Sequence, residues 1–239
     1  MKRLLALVAS LGVLACGSSQ AANLLANGSL DLTYQQEIVP GFFLPKPAMW
    51  INEGFRTISG PYEDEMSSEP WAGPSPTPDT NPGDFGVFFK AFSGGGVNGP
   101  ATGHLYQDNA GTAGLTYTLT GWAGAEANYL AARSIFAVEF LDAGGNEIAL
   151  SGFELDLTPF LTIPNGQPFN YKQFTVSAVA PAGTVSVRTR VSMIDGISNP
   201  AGGGQAFVVD DFVLAVPEPS VTSLAILGMA GLLAFRRRK

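Results

Sequence analysis

Aromatic side chains are the first candidates for chemistry in this sequence. Binding a sugar requires exposed rings that stack on the pyranose face, together with polar groups that fix its hydroxyls. The candidate rings are Trp50, Trp71, Trp122 and Tyr129. Core packing is the alternative for each, because large aromatic residues are mostly buried. Trp71 lies in a proline-rich stretch where burial is difficult, so its exposure would be informative.

Two adjacent acidic residues, Asp210 and Asp211, interrupt an apolar stretch over residues 205–214. Neighbouring carboxylates repel each other unless a positive group lies near, and Ca²⁺ takes its oxygen ligands from carboxylates and backbone carbonyls. Neighbours on a strand point to opposite faces, so one of the two could simply be solvated. The residues leave both alternatives open, a structural calcium ion and no metal.

Catalytic constellations are absent from the sequence. A Ser/His/Asp hydrolase would have to use His104, the single histidine, and no G-x-S-x-G motif accompanies it. One histidine and one cysteine, Cys16, also leave no ligand set for zinc or iron. Many carboxylate pairs could be drawn for glycoside hydrolysis, but no spacing selects one. We therefore expect a protein that is not an enzyme.

The elements that must position these residues are short strands. Residues 115–122 alternate apolar side chains with threonines, which predicts a half-buried strand with Leu115, Tyr117 and Leu119 inward. Similar patterns predict strands over 135–141, 171–179, 184–191 and 205–214, the last lying centrally in its sheet. In 184–191 the inward residues are Val185, Val187 and Val191, with Arg188 and Arg190 outward.

Between these strands the sequence predicts turns and loops. Residues 40–83 contain many prolines and are predicted to be irregular, with a long exposed loop over 69–84. A glycine-rich loop is predicted over 93–103, and only 126–133 could form a helical turn. Short alternating strands with almost no helix predict an all-β fold, a single antiparallel β-sandwich (jelly-roll) domain over 23–215.

Three motifs resemble the galactose-binding-like jelly rolls, a group that includes several carbohydrate-binding modules. They lie at 23–31 (Asn-Leu-Leu-Ala-Asn-Gly-Ser-Leu-Asp), within 105–122 and at 206–214. The resemblance covers most of residues 23–214. It implies that a calcium ion could tie the first strand to the last, through Asp31 and one of Asp210 or Asp211. It also implies binding of extracellular polysaccharide.

The two ends of the chain resemble targeting segments. A basic start, an apolar run over 4–15 and small residues up to Ala22 are typical of a secretory signal peptide over 1–22. Cys16 leaves with this peptide, unless Val13-Leu14-Ala15-Cys16 acts as a lipoprotein box and the cysteine is lipidated. In the first case the mature protein has no cysteine and no disulfide.

The C-terminal segment, 216–239, has three parts: Val216-Pro217-Glu218-Pro219-Ser220, an uncharged apolar run over 221–235, and Arg236-Arg237-Arg238-Lys239. The run predicts a short hydrophobic transmembrane helix, and the basic end predicts a cytoplasmic stop. The order of these parts resembles the PEP-CTERM sorting signal. The resemblance implies transient anchoring in the inner membrane and processing by an exosortase-type enzyme near the Pro-Glu-Pro. A permanent membrane anchor is the alternative.

The charge of the central domain excludes one class of partner. Of 13 Lys and Arg residues, two lie in the signal peptide and four in the C-terminal segment, whereas 19 of the 20 Asp and Glu residues lie between them. The domain thus has a net charge of about −12, and nucleic acid is a poor partner because phosphate contacts need clustered basic residues. Arg188 and Arg190 share the polar face of one strand and could reach an anionic polysaccharide.

We therefore predict a non-catalytic protein that is secreted across the inner membrane to the cell surface or the extracellular (biofilm) matrix. Its predicted ligand is an extracellular polysaccharide. A structural matrix or coat protein that associates with itself is the main alternative, and a polysaccharide-cleaving enzyme is a weaker one. An exposed edge strand would favour self-association, and a cleft with facing carboxylates would favour an enzyme.

Overall fold

Antiparallel β-strands make up nearly all of the regular structure in the part of the chain described below. The computed structural model describes residues 22–56, 66–72, 84–91, 100–161 and 169–216. The body of the predicted signal peptide, most of the proline-rich loop and the C-terminal segment beyond Val216 lie outside these residues. Residues Ala22–Pro217 form one compact unit.

Twelve strands and one short 3-10 turn occur in the described residues. The strands are β1 (Thr33–Val39), β2 (Phe42–Pro47), β3 (Ile51–Arg56), β4 (Met66–Glu69), β5 (Gly86–Phe89), β6 (Ala101–Ala110), β7 (Thr116–Ala125), β8 (Arg133–Leu141), β9 (Phe153–Asp156), β10 (Lys172–Val179), β11 (Ser186–Gly196) and β12 (Phe207–Ala215). The 3-10 turn covers Thr158–Phe160.

The strands form two five-stranded sheets and a separate hairpin. Sheet I has the order β10-β7-β12-β5-β4, and sheet II has the order β3-β6-β11-β8-β9. Strands β1 and β2 pair only with each other, and every pairing is antiparallel. This arrangement confirms the predicted antiparallel β-sandwich, with β12 in the centre of its sheet as expected.

The core lies between the inner faces of the two sheets. Tyr117 and Leu119 from β7 and Phe136, Val138 and Phe140 from β8 are buried there, as the alternation predicted. Residues from β11 and β12 complete the same core: Val187, Val191, Phe207, Val209, Phe212 and Leu214. Burial of these apolar surfaces stabilises the sandwich, because each removes area from water.

Leu115 and Val185 are exposed rather than inward, which corrects the predicted orientation of both residues. Each lies immediately before its strand, since β7 begins at Thr116 and β11 at Ser186. The backbone N–H of Leu115 donates to Thr112 in the preceding turn, so this residue does not share the strand alternation.

The stretch predicted to be irregular contains three strands, β2, β3 and β4. Prolines 45 and 47 are tolerated in β2 because it is a hairpin strand with one partner, so one side of its backbone needs no hydrogen-bond donor. Strand β6 begins at Ala101, inside the predicted glycine-rich loop, and the predicted helical turn over 126–133 is a non-helical turn leading into β8.

Strand β12 contains a bulge beside the predicted metal ligands. Its register with β7 shifts between Asp210 and Val213, and Asp211 has a positive φ of 52°. The bulge turns the ring of Phe212 into the core over Gly121, where a Cβ would lie 2.4 Å from that ring. Gly121 is therefore required by close packing.

The N-terminal segment forms a turn around Asn27-Gly28 and is attached to β12 by hydrogen bonds. The Asn23 side chain donates to the Phe212 carbonyl (2.8 Å) and accepts from the Leu214 N–H (3.0 Å). The Leu24 N–H donates to the Leu214 carbonyl (2.8 Å), and the Phe212 N–H donates to the Gly28 carbonyl (2.7 Å). Both ends of the unit therefore meet at β12.

Candidate functional site

The outer face of sheet II collects the charged residues of several strands. In the antiparallel register, Tyr106 of β6 lies beside Arg190 of β11, and Asp108 lies beside Arg188. Glu139 of β8 lies on the other side of Arg188. These residues and their neighbours form a groove of about 380 Å³, called here the sheet II groove, which is lined by Glu53, Phe55, His104, Tyr106, Glu139, Glu147, Arg188 and Arg190.

Arg190 lies at the floor of the groove and is held by three other side chains. Its Nε donates to Glu139 (2.7 Å), its Nη2 donates to Glu139 and to Glu154 (2.6 Å), and its Nη1 donates to Ser192 (2.7 Å). Burial opposes the charged form of Arg190, but the two carboxylates outweigh it and raise the pKa of the guanidinium. Arg190 therefore has a single fixed orientation.

Arg188 is fixed in a similar way by a second acid and an aromatic ring. Its Nε and Nη2 donate to the two carboxylate oxygens of Asp108 at 2.6 and 2.8 Å. The guanidinium lies 4.1 Å from the centre of the Tyr106 ring, a cation–π contact. The Tyr106 hydroxyl donates to Glu53 (2.8 Å), and burial, followed by this hydrogen bond, raises the pKa of Tyr106.

His104 lies beside Ser192 at the β3 side of the groove. The distance between His104 Nδ1 and Ser192 Oγ is 2.6 Å. Ser192 Oγ also accepts from Arg190 Nη1, so one hydroxyl joins His104 to the arginine network. Burial, then the charge of Arg190, lowers the pKa of His104, so the ring is neutral at neutral pH.

Exposed apolar and acidic groups border this fixed network. Phe55 is 57% exposed, and its ring meets the His104 ring edge-on with 5.6 Å between centroids. Glu53 and Glu147 are exposed, and burial, then the neighbouring Glu139, raises the pKa of Glu147. The groove therefore offers one free aromatic face and several carboxylate oxygens that can accept hydrogen bonds.

Two of the sequence-predicted aromatic residues pack in or against the core. Trp50 is only 4% exposed, its Nε1 donates to the Asn27 carbonyl (2.9 Å), and its ring packs on Phe212. Tyr129 stacks on Phe207, and its hydroxyl is hydrogen-bonded to Ser134 (2.7 Å). These contacts favour the core-packing alternative for Trp50. Tyr129 is half-buried and lines a separate small pocket with Glu126 and Leu161, so ligand contact by this ring stays a prediction.

The other two tryptophans lie on the outer face of sheet I. Trp122 is half-buried on β7, on the same side as Thr120 and opposite Asp210. Trp71 is 38% exposed, stacks on Phe169 with 5.8 Å between ring centroids, and contacts Phe88 at 5.0 Å. The fold therefore separates both tryptophans from the sheet II groove.

The predicted calcium ligands lie around the β12 bulge. Asp210 is 1% exposed, its Oδ1 accepts from the Asp211 N–H (2.8 Å), and its Oδ2 has no hydrogen-bond partner. Burial, then the charges of Asp211, Asp84 and Asp31, raises the pKa of Asp210 to about 9. Asp31 accepts from the Phe85 N–H (3.0 Å), and burial, then Asp31, raises the pKa of Asp211.

The negative charges of these acids would suit a cation, but the carboxylates are not clustered as a ligand set. Across residues 22–56, 66–72, 84–91, 100–161 and 169–216, no group of three or more His, Cys, Asp or Glu side chains is placed to hold a metal ion. Backbone carbonyls of the turn at 25–29 would have to supply oxygens as well. Calcium at Asp31, Asp210 and Asp211 therefore stays a prediction.

Comparison with known proteins identifies relatives by fold only. No protein-family model matches the chain, and no curated protein sequence matches it. Similar solved structures include the enzymatically active domain of bacteriophage CBA120 tailspike protein 4, with a TM-score of 0.50 and 13% identity over 81% of this chain. This chain spans about a fifth (21%) of the tailspike chain.

Carbohydrate-binding modules are among the other similar structures. TmCBM61 in complex with β-1,4-galactotriose has a TM-score of 0.45 and 18% identity, covering 82% of this chain and 99% of that one. The K1 cleaved adhesin domain of Lys-gingipain from Porphyromonas gingivalis W83 has a TM-score of 0.42 and 19% identity, covering 77% and 98%. At such identities a likeness concerns the fold alone.

Within the residues that the structure describes, no helix is both long and apolar enough to cross a membrane. The predicted transmembrane segment over 221–235 and the sorting motif before it lie outside those residues.

Most of the groove residues were not singled out from the sequence. Arg188 and Arg190 were predicted to point outward, and they do, but Glu53, Glu139 and Glu147 lie on other elements far along the chain. The one local signal was the alternation of polar residues at 104, 106 and 108 in β6. That signal was hidden because the glycines before it favoured a loop.

Proposed function

We propose that this protein is an exported, non-catalytic polysaccharide-binding protein and that the sheet II groove is its binding site. The observation that supports the proposal is the groove itself, in which an exposed ring, Phe55, borders polar side chains held in fixed orientations. Sugar sites require this combination, because a ring stacks on the pyranose face while oriented polar groups select the hydroxyls. Sites built on strands are also preorganised, which lowers the entropy cost of binding.

The charge pattern of the groove favours a neutral polysaccharide. Arg188 is paired with Asp108, and Arg190 with Glu139 and Glu154, so carboxylates already balance both positive charges and weaken their attraction for an anionic chain. Binding of an anionic polysaccharide through these arginines stays the alternative. The exposed carboxylates of Glu53, which already accepts from Tyr106 through one oxygen, and Glu147 are acceptors, and hydroxyl groups of a neutral sugar are suitable donors to them.

The proposal is tested by affinity electrophoresis of the Ala22–Pro217 unit through gels that contain galactan, xylan or alginate. We expect retardation by a neutral polymer, and weaker retardation of Phe55→Ala, because truncation removes the stacking ring. Ile51→Ala is the matched control, since Ile51 is also exposed on the outer face of β3 but does not line the groove. Retardation that Phe55→Ala leaves unchanged would contradict this site, and no retardation by any polymer would contradict binding.

Absence of catalysis needs its own measurement. The same polymers are incubated with the unit, and new reducing ends are counted over time. Glu139 is tied to Arg190, so it is not free to act as an acid or a base in a carboxylate pair. We therefore expect no increase in reducing ends, and a steady increase would instead favour the polysaccharide-cleaving alternative.

Export and sorting form a separate part of the proposal. We infer that the segment over 1–22 directs secretion and that 216–239 holds the chain briefly in the inner membrane for an exosortase-type enzyme. The support is the order of motif, apolar run and basic end in the sequence. Fractionation of the producing cell compares the full chain with a Glu218→Ala variant. We expect the full chain at the surface or outside the cell and the variant retained in the membrane; equal distributions would contradict sorting.

A further inference from the structure

Strand β10 forms one open edge of sheet I. All eight of its residues, from Lys172 to Val179, pair with β7, and no strand in the described residues pairs with its other side. Alternate backbone N–H and C=O groups of β10 therefore face outward without a strand partner. Such an edge is a template for pairing with another strand, and most proteins protect it.

The other three edges of sheets I and II, as far as the structure describes them, are protected. Strand β4 has only four residues and is covered by the β1–β2 hairpin, where Ser67 donates to the Pro45 carbonyl (3.0 Å). Strand β9 also has four residues, and its outer face carries Glu154 and Asp156. Strand β3 carries the acidic Glu53 on its outer face. Short length and charge are the usual means of blocking an edge.

Strand β10 lacks each of these protections. It is twice as long as β4 and β9, it contains no proline and no acid, and its only charge is Lys172 at its first position. Its outer face carries Gln173, Thr175 and Ser177, which continue the threonines of β7 as an uncharged surface. Exposed apolar side chains lie at both ends of the strand: Val179, 62% exposed, at one end and Phe160, next to Phe174, at the other.

We propose that β10 pairs antiparallel with the β10 of a second copy of this chain. An antiparallel pair of identical strands is self-complementary, since a two-fold axis brings the same patch of each copy together. Outward residues then face outward residues, as when Thr175 lies opposite Ser177 of the other copy, and the two Lys172 side chains lie near opposite ends of the pairing. A domain with a net charge of about −12 repels its copies at most surfaces, whereas β10 itself carries no acidic side chain.

The dimer would place two sheet II grooves on one assembly. The proposed pairing of β10 does not depend on which ligand the groove binds. With the two-fold axis perpendicular to sheet I, the joined sheet has ten strands, and both grooves lie on the same side of the dimer. Two linked sites on one polymer bind with an avidity about 10²- to 10⁴-fold above a single site. Self-association and polysaccharide binding are then parts of one assembly.

Analytical ultracentrifugation of the Ala22–Pro217 unit over a range of concentrations tests the proposal. We expect a dimer that dissociates on dilution, and we expect Thr175→Lys with Ser177→Lys to be monomeric, because four added cations then meet across the two-fold axis. The matched control is Thr120→Lys with Thr118→Lys, which adds the same charge on the same face at the direct neighbours one strand inward. A wild-type monomer at every concentration, or a control that is also monomeric, would overturn the assignment to the β10 edge.

Cysteine cross-linking tests the same contact without added charge. The unit contains no cysteine, because Cys16 lies outside it. Facing residues of paired antiparallel strands have Cα atoms about 4.5–5.5 Å apart, within the range that a disulfide spans. Thr175→Cys with Ser177→Cys should therefore give a covalent dimer on mild oxidation, and Thr120→Cys should not. Equal cross-linking of both, or of neither, would contradict pairing through β10.

Discussion

The two outer faces of the sandwich are built from the same kind of strand but carry opposite chemistry. On sheet II the outward positions hold arginines and carboxylates that bind one another, with Arg190 joined to Glu139 and Glu154. On β7 and β10 of sheet I the outward positions hold threonine, serine, glutamine and Trp122, without a charge. The same alternation produces both faces, so what distinguishes them is the residue type at each outward position.

The difference teaches how each face can be used. Side chains on sheet II are already paired, so the face is rigid and suits a ligand that fits a fixed pattern of acceptors. The β7–β10 face has small uncharged side chains beside an open strand edge, so it suits contact with another backbone. The predictions below test this contrast, beginning with the largest expected effect.

Replacing Arg190 by methionine should destabilise the protein most. Glu139 is buried, and the substitution would leave its carboxylate without its cation, at a cost of about 3–5 kcal/mol in the free energy of unfolding. Urea unfolding followed by tryptophan fluorescence measures the change. Arg188→Met is the control and should cost only about 1 kcal/mol, because Asp108 is exposed and keeps its water. Equal losses of stability in the two variants would show that burial does not make the Arg190–Glu139 pair stronger than the Arg188–Asp108 pair.

Replacing Asp210 on sheet I by asparagine should stabilise the protein in the absence of calcium, in contrast to the loss expected for Arg190→Met. At pH 7 a pKa of about 9 keeps Asp210 protonated in the folded protein, whereas the unfolded chain ionises it, so the unfolded state is favoured. Asparagine does not carry this cost, and the substitution should raise the free energy of unfolding by a few kcal/mol in EDTA. Because the folded-state pKa is raised from 3.8 to about 9, the wild-type penalty is absent below pH 4 and grows as the pH rises toward 9. The advantage of the variant should therefore vanish at pH 4, which thermal melts across this range would show.

Calcium addition completes the test of Asp210. If Asp31, Asp210 and Asp211 hold the ion, calcium should raise the melting temperature of the wild type and leave Asp210→Asn unchanged, with magnesium as the control ion. An equal response of both proteins to calcium would contradict the predicted site.

Aromatic truncations should separate the two faces by ligand affinity. Phe55→Ala should weaken binding of the best neutral polysaccharide about tenfold, a loss of about 1.4 kcal/mol. Trp71→Ala with Trp122→Ala should change the dissociation constant less than twofold, because both rings lie on sheet I. Isothermal titration calorimetry measures both. The reverse result would move the binding site to the tryptophans that the sequence first suggested.

A histidine substitution should give the smallest effect. The pKa of His104 is lowered in the folded state, so its contribution to stability is full above its ordinary pKa near 6.5 and is lost as the pH falls toward the folded value. The loss should be less than about 1 kcal/mol, because solvent screens a partly exposed ring. His104→Gln should therefore show a flatter change in stability between pH 7 and pH 5, measured by urea unfolding. A slope identical to that of the wild type would exclude His104 as the titrating group.

The alternation of apolar and polar residues predicted most of the strands correctly. It located β7, β8, β11 and β12 because each has one face in the core and therefore a clear period of two. It failed for β2, where prolines fit a hairpin strand with one partner, and for β6, where glycines precede polar outward residues. Whether a proline or a glycine lies in a strand depends on neighbours that the sequence does not identify.

The site was less accessible to sequence reasoning than the fold. Arg190 was placed on the correct face, but its partner Glu139 is 51 residues away and becomes adjacent only through the order of strands in sheet II. Trp50 shows the converse, since its burial depends on Phe212, the last core ring in the chain. Spacing along the chain cannot reveal contacts of either kind.

The attachment of the N-terminal segment to β12 also determines how the domain responds to mechanical force. A pull on the chain beyond Val216 enters through the central strand of sheet I, which is bonded to β7 on one side and to β5 on the other. Asn23 and Leu24 add bonds to the same end of that strand. Extracting β12 along its length requires these bonds to shear together, so the unit resists load applied at its C-terminal side.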